Sequence, residues 1–178
     1  VGGGVVHELE AEGYQVEDAP MASTIRRNNS VDVWATLTNA AKVFGHRGPA
    51  VNRIADVIKA FDPHLILTDY EFFTPLAARK LGRECVSLDH QHVLTHCRYD
   101  PPEGQTFNRI TTCSTVKLLY SFATQYLIIS FYAPPPVDPT TTEVFPPVVR
   151  AGVLKQTPQT GDFGLVYLAD RTFHGLLP

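Results

Sequence analysis

The alternation of apolar and polar positions is sharpest between Phe61 and Thr95, FDPHLILTDYEFFTPLAARKLGRECVSLDHQHVLT. Two apolar runs, Leu65-Ile66-Leu67-Thr68 and Cys85-Val86-Ser87-Leu88, are each followed by an aspartate, Asp69 and Asp89. A helical pattern separates them: Thr74 reads as an N-cap with Pro75 at the first helical position, Leu76, Ala77, Lys80 and Leu81 continue it, and Gly82 ends it. Strand, crossover helix and strand make one parallel βαβ unit. Ligands of such sheets collect outside the carboxyl ends of the strands. Asp69 and the run Asp89-His90-Gln91-His92 belong to those ends.

On the amino-terminal side, Val5, Val6 and Leu9 share a helical face and Gly13 follows as a C-cap. Tyr14 to Glu17 alternates like a short strand, and Met21 to Asn29 reads as a polar loop. Ser30 is placed to cap a helix carrying Val33, Trp34, Leu37, Ala40, Ala41 and Phe44, which Gly45 and Gly48-Pro49 interrupt. Ile54, Val57, Ile58 and Phe61 mark a further helix ended by Asp62-Pro63. Beyond the central unit, His92 to Phe107 reads as a long loop, Ser114 to Ala123 as a helix and Tyr126 to Ile129 as a buried strand. Pro134-Pro135-Pro136, a threonine run and Pro146-Pro147 suggest an extended linker, and Phe163 to Leu168 a last strand. The alternation of strands and helices predicts an α/β fold, a Rossmann-like parallel sheet flanked by helices.

Composition narrows the function classes. A net charge of −3 over 178 residues provides no basic field for nucleic acid and no polybasic membrane patch. Cys85, Cys97 and Cys113 cannot all pair, which points to reduced thiols and a cytoplasmic location. The chain opens on Val1 followed by three glycines and stops at Pro178, so both ends are expected to be cut from something longer. The glycines lack the spacing and the lysine of a phosphate-cradling loop.

The densest chemistry lies after the second strand. Asp89, His90, His92, His96 and Cys97 are possible metal ligands, and His92 and His96 have the four-residue spacing that puts two imidazoles on one helical face. A metal-dependent hydrolase using this cluster is one reading. An Asp89–histidine acid–base pair is another, because a carboxylate can orient an imidazole. No G-x-S-x-G elbow supplies a serine nucleophile.

Taken together, FDPHLILTDYEFFTPLAARKLG followed by CVSLDHQHVLTH resembles the amino-terminal domain of GT-B glycosyltransferases, and among them the MurG-like family. Gln125 to Tyr132, Pro146 to Arg150 and Gly161 to Leu168 are similar to the segments that lead into that family's second domain. Arg83 and Glu84 depart from it, standing where a hydrophobic residue and a proline are common. The family's opening strand and G-x-G-H loop, whose histidine serves as base, have no counterpart here, so no histidine inherits that role.

The resemblance implies an incomplete acceptor-side domain over 1–133, an interdomain linker over 134–160 and the first strand of a donor-binding domain over 161–178. It implies sugar transfer from a nucleotide-sugar donor to a hydroxyl of a small-molecule or lipid acceptor, with this chain inactive alone. Asp69, Asp89, His90, Gln91 and His92 are the expected acceptor-binding residues. No metal or cofactor is expected. Vacant strand edges would favour a homo-oligomer or pairing with a separate amino-terminal fragment. A non-catalytic module that binds a small molecule is the remaining alternative.

Overall fold

In the computed structural model, residues 5–17, 26–27, 30–31, 38, 45, 47–101 and 103–164 are described. The chain divides into two compact units, Val51–Lys155 and the two flanking segments Val1–Ala50 and Gln156–Pro178. In the flanking unit, α1 covers Val6–Ala11 and ends as expected near Gly13, whose φ of 89° suits glycine. Residues 14–17 are irregular rather than a strand. β1 (Arg26–Arg27) and β2 (Ser30–Val31) pair antiparallel, so the backbone of Ser30 lies in a short ladder. The predicted stripe from Val33 to Phe44 and most of the run Phe163 to Leu168 lie outside the described residues.

The Val51–Lys155 unit is built on four strands, β3 (Leu67–Thr68), β4 (Val86–Asp89), β5 (Gln125–Ile129) and β6 (Thr142–Phe145), in the order β3-β4-β5-β6. All neighbours run parallel, with Thr68 opposite Ser87, Ser87 opposite Tyr126 and Tyr126 opposite Thr142. Helices α2 (Arg47–Phe61), α3 (Phe73–Lys80), α4 (Val93–His96) and α5 (Thr106–Leu119) flank the sheet, and α6 (Ala151–Leu154) follows it. The α/β class and the central β3-α3-β4 unit therefore agree with the pattern of the sequence. Among the described residues no helix is long and apolar enough to cross a membrane.

Helix α2 begins at Arg47, so Gly48 and Pro49 open it instead of interrupting it. Proline is tolerated there because the first backbone N–H groups of a helix have no intrahelical partner. Its contact stripe is Val51, Ile54, Ala55 and Ile58, spaced i, i+3, i+4, i+7, packed with Ile66, Ala77, Ala78 and Cys85. Phe61 lies off that stripe and is exposed. The helix stops at Asp62, which is left-handed at φ 47° ahead of Pro63. Arg83 pairs there with the Asp62 carboxylate and donates to the Pro63 carbonyl at 3.3 Å. The residue that departs from the family pattern thus ties the turn before β4 to the end of α2.

The cap of α3 differs from the expected one. Thr74 and Pro75 are the second and third helical residues, and the Glu71 carboxylate accepts from the N–H groups of Phe73 and Thr74 at 2.6 Å each. A carboxylate also suits the positive end of the helix dipole. At the other end Gly82, at φ 65°, lets the Arg83 N–H reach the Ala78 carbonyl at 2.9 Å, closing the last turn.

Two further elements depart from the sequence reading. Helix α5 starts eight residues before Ser114 and ends at Leu119. Its first half is rich in threonine, but Thr111 and Thr115 bond back to the carbonyls of Phe107 and Thr111 at 3.0 and 2.9 Å, which lets them sit in a helix. The stretch 134–160 is not a uniform linker: Thr142–Phe145 forms β6 against β5. The β-branched threonines and Val144 favour a pleated strand, and the prolines lie outside it. The sheet of this unit therefore extends past residue 133.

Candidate functional site

Parallel strands present successive side chains to opposite faces. On one face Thr68, Ser87, Asp89, Tyr126, Ile128 and Thr142 are all buried. Leu67 on the other face is half exposed, and Val86, Leu88, Leu127 and Ile129 are partly buried. Asp89, at the end of β4, thus carries its carboxylate into the covered side of the sheet.

That carboxylate organises the turn after β4. One oxygen, Oδ1, accepts the His92 backbone N–H at 2.9 Å. The other accepts the Ser87 hydroxyl at 2.5 Å and His92 Nδ1–H at 2.6 Å. Burial opposes the charge on Asp89, and the hydrogen bonds from His92 and Ser87 outweigh it, leaving the carboxyl below its ordinary range. His92 is fully buried, its ring 5.9 Å from that of Tyr70, 4.7 Å from Tyr126 and 5.2 Å from His96. Its Nε2 has no hydrogen-bond partner among the described residues. The clasp closes a three-residue span and leaves His90 and Gln91 standing out at its crest.

A cleft of about 460 Å³ opens at the carboxyl ends of β3 and β4, lined by Asp69, Asp89, His90, Gln91, Leu88 and Ile129 among others. Of the five residues singled out in the sequence, four therefore meet in one concavity. His92 does not. It was expected to offer hydrogen bonds to an acceptor, and with no exposed surface it instead holds the loop through Asp89.

His90 Nδ1 lies 2.7 Å from the Ile129 carbonyl. A carbonyl can only accept, so Nδ1 bears the proton, and in the neutral ring Nε2 keeps its lone pair. Asp69 is exposed at the end of β3 and makes no hydrogen bond among the described residues; burial and the nearby Asp89 carboxylate raise its pKa. The helix that follows is capped by the Glu71 carboxylate and not by Asp69. Tyr70, next to Asp69, has a positive φ of 46°, rare for a bulky residue. Its ring stacks on Tyr120 at 4.1 Å and meets His92 edge-on, which holds the strained turn in place.

Ser87, Tyr70 and the Ile129 carbonyl were not singled out from the sequence. A serine two residues before, and a histidine three residues after, an aspartate at a strand end is the signal for the first.

His96 lies one turn beyond His92, its ring 3.9 Å from that of Tyr126. No group of three or more His, Cys, Asp or Glu side chains able to hold a metal ion occurs among the described residues. Burial, with the neighbouring His92 and Lys117 adding to it and Asp89 opposing, pushes the His96 imidazole down from 6.5 to about 4. Unfolded chains take up this proton near pH 6.5 and folded ones only near 4, so the unfolded state binds more protons in between. Stability is fully present above pH 6.5 and falls as the pH drops toward 4, by at most about 3 kcal/mol at 1.36 kcal/mol per pH unit. Urea unfolding at pH 7 and pH 4.5 should show the loss in the wild type and a smaller one in His96→Phe; equal losses in both would remove His96 as the cause.

The family model described as glycosyl transferase family 1 matches residues 3–177. The chain belongs to glycosyl transferase family 1. No curated protein and no solved structure matches it. Family membership gives the strand-end cleft of this glycosyltransferase family member a context. Asp69, His90 and Gln91 bring a carboxylate, an imidazole and an amide into one concavity.

Proposed function

We propose that the protein is a MurG-like GT-B glycosyltransferase whose Val51–Lys155 unit is the acceptor side, with the acceptor hydroxyl seated in the cleft between the β3 and β4 ends. The donor is a nucleotide diphosphate sugar, bound by a second domain that the segment after residue 155 enters. The acceptor oxygen attacks the anomeric carbon, the bond from that carbon to the diphosphate oxygen breaks, and its electron pair leaves with the diphosphate. The hydroxyl proton passes to His90 Nε2. Asp69 and Gln91 orient the acceptor by hydrogen bonds, and Asp89 with His92 fixes the turn that carries His90.

The observation that carries this reading is His90, whose ring is held at Nδ1 by the Ile129 carbonyl and which lines one cleft with Asp69 and Gln91. Proton transfer by a positioned imidazole contributes about 10²–10⁴ in rate, whereas an orienting hydrogen bond contributes about tenfold. The test is incubation with a panel of nucleotide sugars and hydroxyl acceptors, read by mass spectrometry of the glycosylated product. Transfer is expected from a protein in which this chain is joined to its donor-binding domain, and there Asp69→Asn should raise the acceptor KM about tenfold. An unchanged acceptor KM in Asp69→Asn would take Asp69 out of the site.

A further inference from the structure

A second cleft in the Val51–Lys155 unit measures about 790 Å³. It lies between α5 and the stretch Leu94–Asp100, which runs from within α4 into the segment after it, and it shares no lining residue with the strand-end cleft. Three cations line it, Arg98, Arg109 and Lys117, against one carboxylate, Asp100. This is a positive concavity in a chain whose net charge is −3. None of the three cations forms an ion pair with a described residue.

The cations are held in place from two sides. The backbone carrying Arg98 is pinned by the bridge between Cys97 and Pro136, with the Arg98 N–H on the Pro135 carbonyl at 2.9 Å and the Val137 N–H on the His96 carbonyl at 2.7 Å. Arg109 and Lys117 are eight residues apart on α5, two turns along one face and about 12 Å in rise. The Arg109 guanidinium sits 5.7 Å from the centre of the Tyr99 ring, an aromatic contact that orients it without neutralising it. Tyr99 is itself tied to the Leu94 carbonyl through its hydroxyl at 3.4 Å.

The remaining lining decides the ligand class. Ser114 adds a hydroxyl donor, the Thr95 and Tyr99 hydroxyls being turned to the His92 and Leu94 carbonyls, while Leu94, Ile110 and Val137 form an apolar wall. Guanidinium forks, an ammonium and a hydroxyl match an anion with several acceptor oxygens. The volume suits a drug-sized ligand, larger than a bare phosphate. We propose that the cleft between α5 and Leu94–Asp100 is a binding site for the phosphate or diphosphate group of a phosphorylated small molecule, with Arg98, Arg109 and Lys117 as its anion-binding residues. The site stands apart from the strand-end cleft, and its existence does not depend on His90 or Asp69.

Calorimetric titration of the full chain with pyrophosphate tests it. Saturable one-to-one binding that weakens as salt is added is expected, with Arg98→Gln and Lys117→Gln each raising Kd about tenfold or more. Both side chains belong to exposed residues, and circular dichroism of each variant checks that it folds. A second arm uses phosphatidylcholine vesicles with and without phosphatidic acid. Binding only to the acidic vesicles, competed by pyrophosphate, would mean a lipid carries the phosphate group; binding of pyrophosphate without vesicle binding would mean a soluble ligand does. No saturable pyrophosphate binding, or folded variants that bind as the wild type does, would overturn the proposal.

Discussion

Replacing Asp89 by alanine should destabilise the Val51–Lys155 unit by about 3–5 kcal/mol, as breaking a buried, hydrogen-bonded pair does. The Asp89 side chain is 1% exposed and satisfies three donors at once, the Ser87 hydroxyl, His92 Nδ1–H and the His92 backbone N–H. Alanine strands all three where water does not reach, and each orphaned donor costs about 1–3 kcal/mol. Against a typical domain stability of about 5–15 kcal/mol this is a large fraction. Asparagine keeps one oxygen but turns an amide N–H₂ toward a donor, so Asp89→Asn should fall between wild type and alanine. Denaturant midpoints of the three proteins give the ranking. A midpoint in Asp89→Ala equal to that of the wild type would mean that the clasp does not hold the turn.

Low pH should act on the same group from the other direction. The folded Asp89 pKa is below its ordinary 3.8, so its contribution is fully present above pH 3.8 and lost as the pH falls through the lower folded value. His96 therefore acts first on acidification, between pH 6.5 and about 4, and Asp89 last. Asp69, with a raised pKa, works in the opposite sense just above 3.8. Because it belongs to an exposed residue, solvent screens its contribution.

The sequence made the βαβ unit legible because several local signals agreed there. Gly82 at a left-handed position, Asp62-Pro63 at a helix end and two apolar runs each ending on aspartate all pointed to the same elements. Helix α5 and strand β6 were hidden by composition: threonines that bond back to their own helix look like loop, and threonines between prolines look like linker. The site was half legible. A strand end supplies its residues in a fixed order, but which of them turn inward depends on the cover above the sheet. In Val86-Ser87-Leu88-Asp89 the apolar residues would be placed inside by alternation alone. The structure buries Ser87 and Asp89 and leaves Val86 and Leu88 partly exposed, because Asp89 finds its partners in Ser87 and His92. His92 thereby becomes a brace, and His90 is left as the imidazole of the cleft.

His90→Ala should lower kcat for sugar transfer by about 10²–10⁴, the range a positioned general base contributes. The side chain belongs to an exposed residue, and its one hydrogen bond among the described residues is to the Ile129 carbonyl at 2.7 Å. Its loss should leave the denaturation midpoint close to that of the wild type, separating chemistry from folding. On the proposed arrangement the donor lies in another domain, so its KM should not move. His90→Gln tests the tautomer, since an amide can donate to Ile129 but cannot take up a proton at neutral pH. The most direct measurement is therefore kcat and both KM values for wild type, His90→Ala and His90→Gln in a protein in which this chain is joined to its donor-binding domain, with stability measured in parallel. The account predicts that both variants are folded, bind donor normally and lose kcat by about a hundredfold or more. Folded variants that transfer sugar at the wild-type rate would contradict the placement of the acceptor and its base at the ends of β3 and β4.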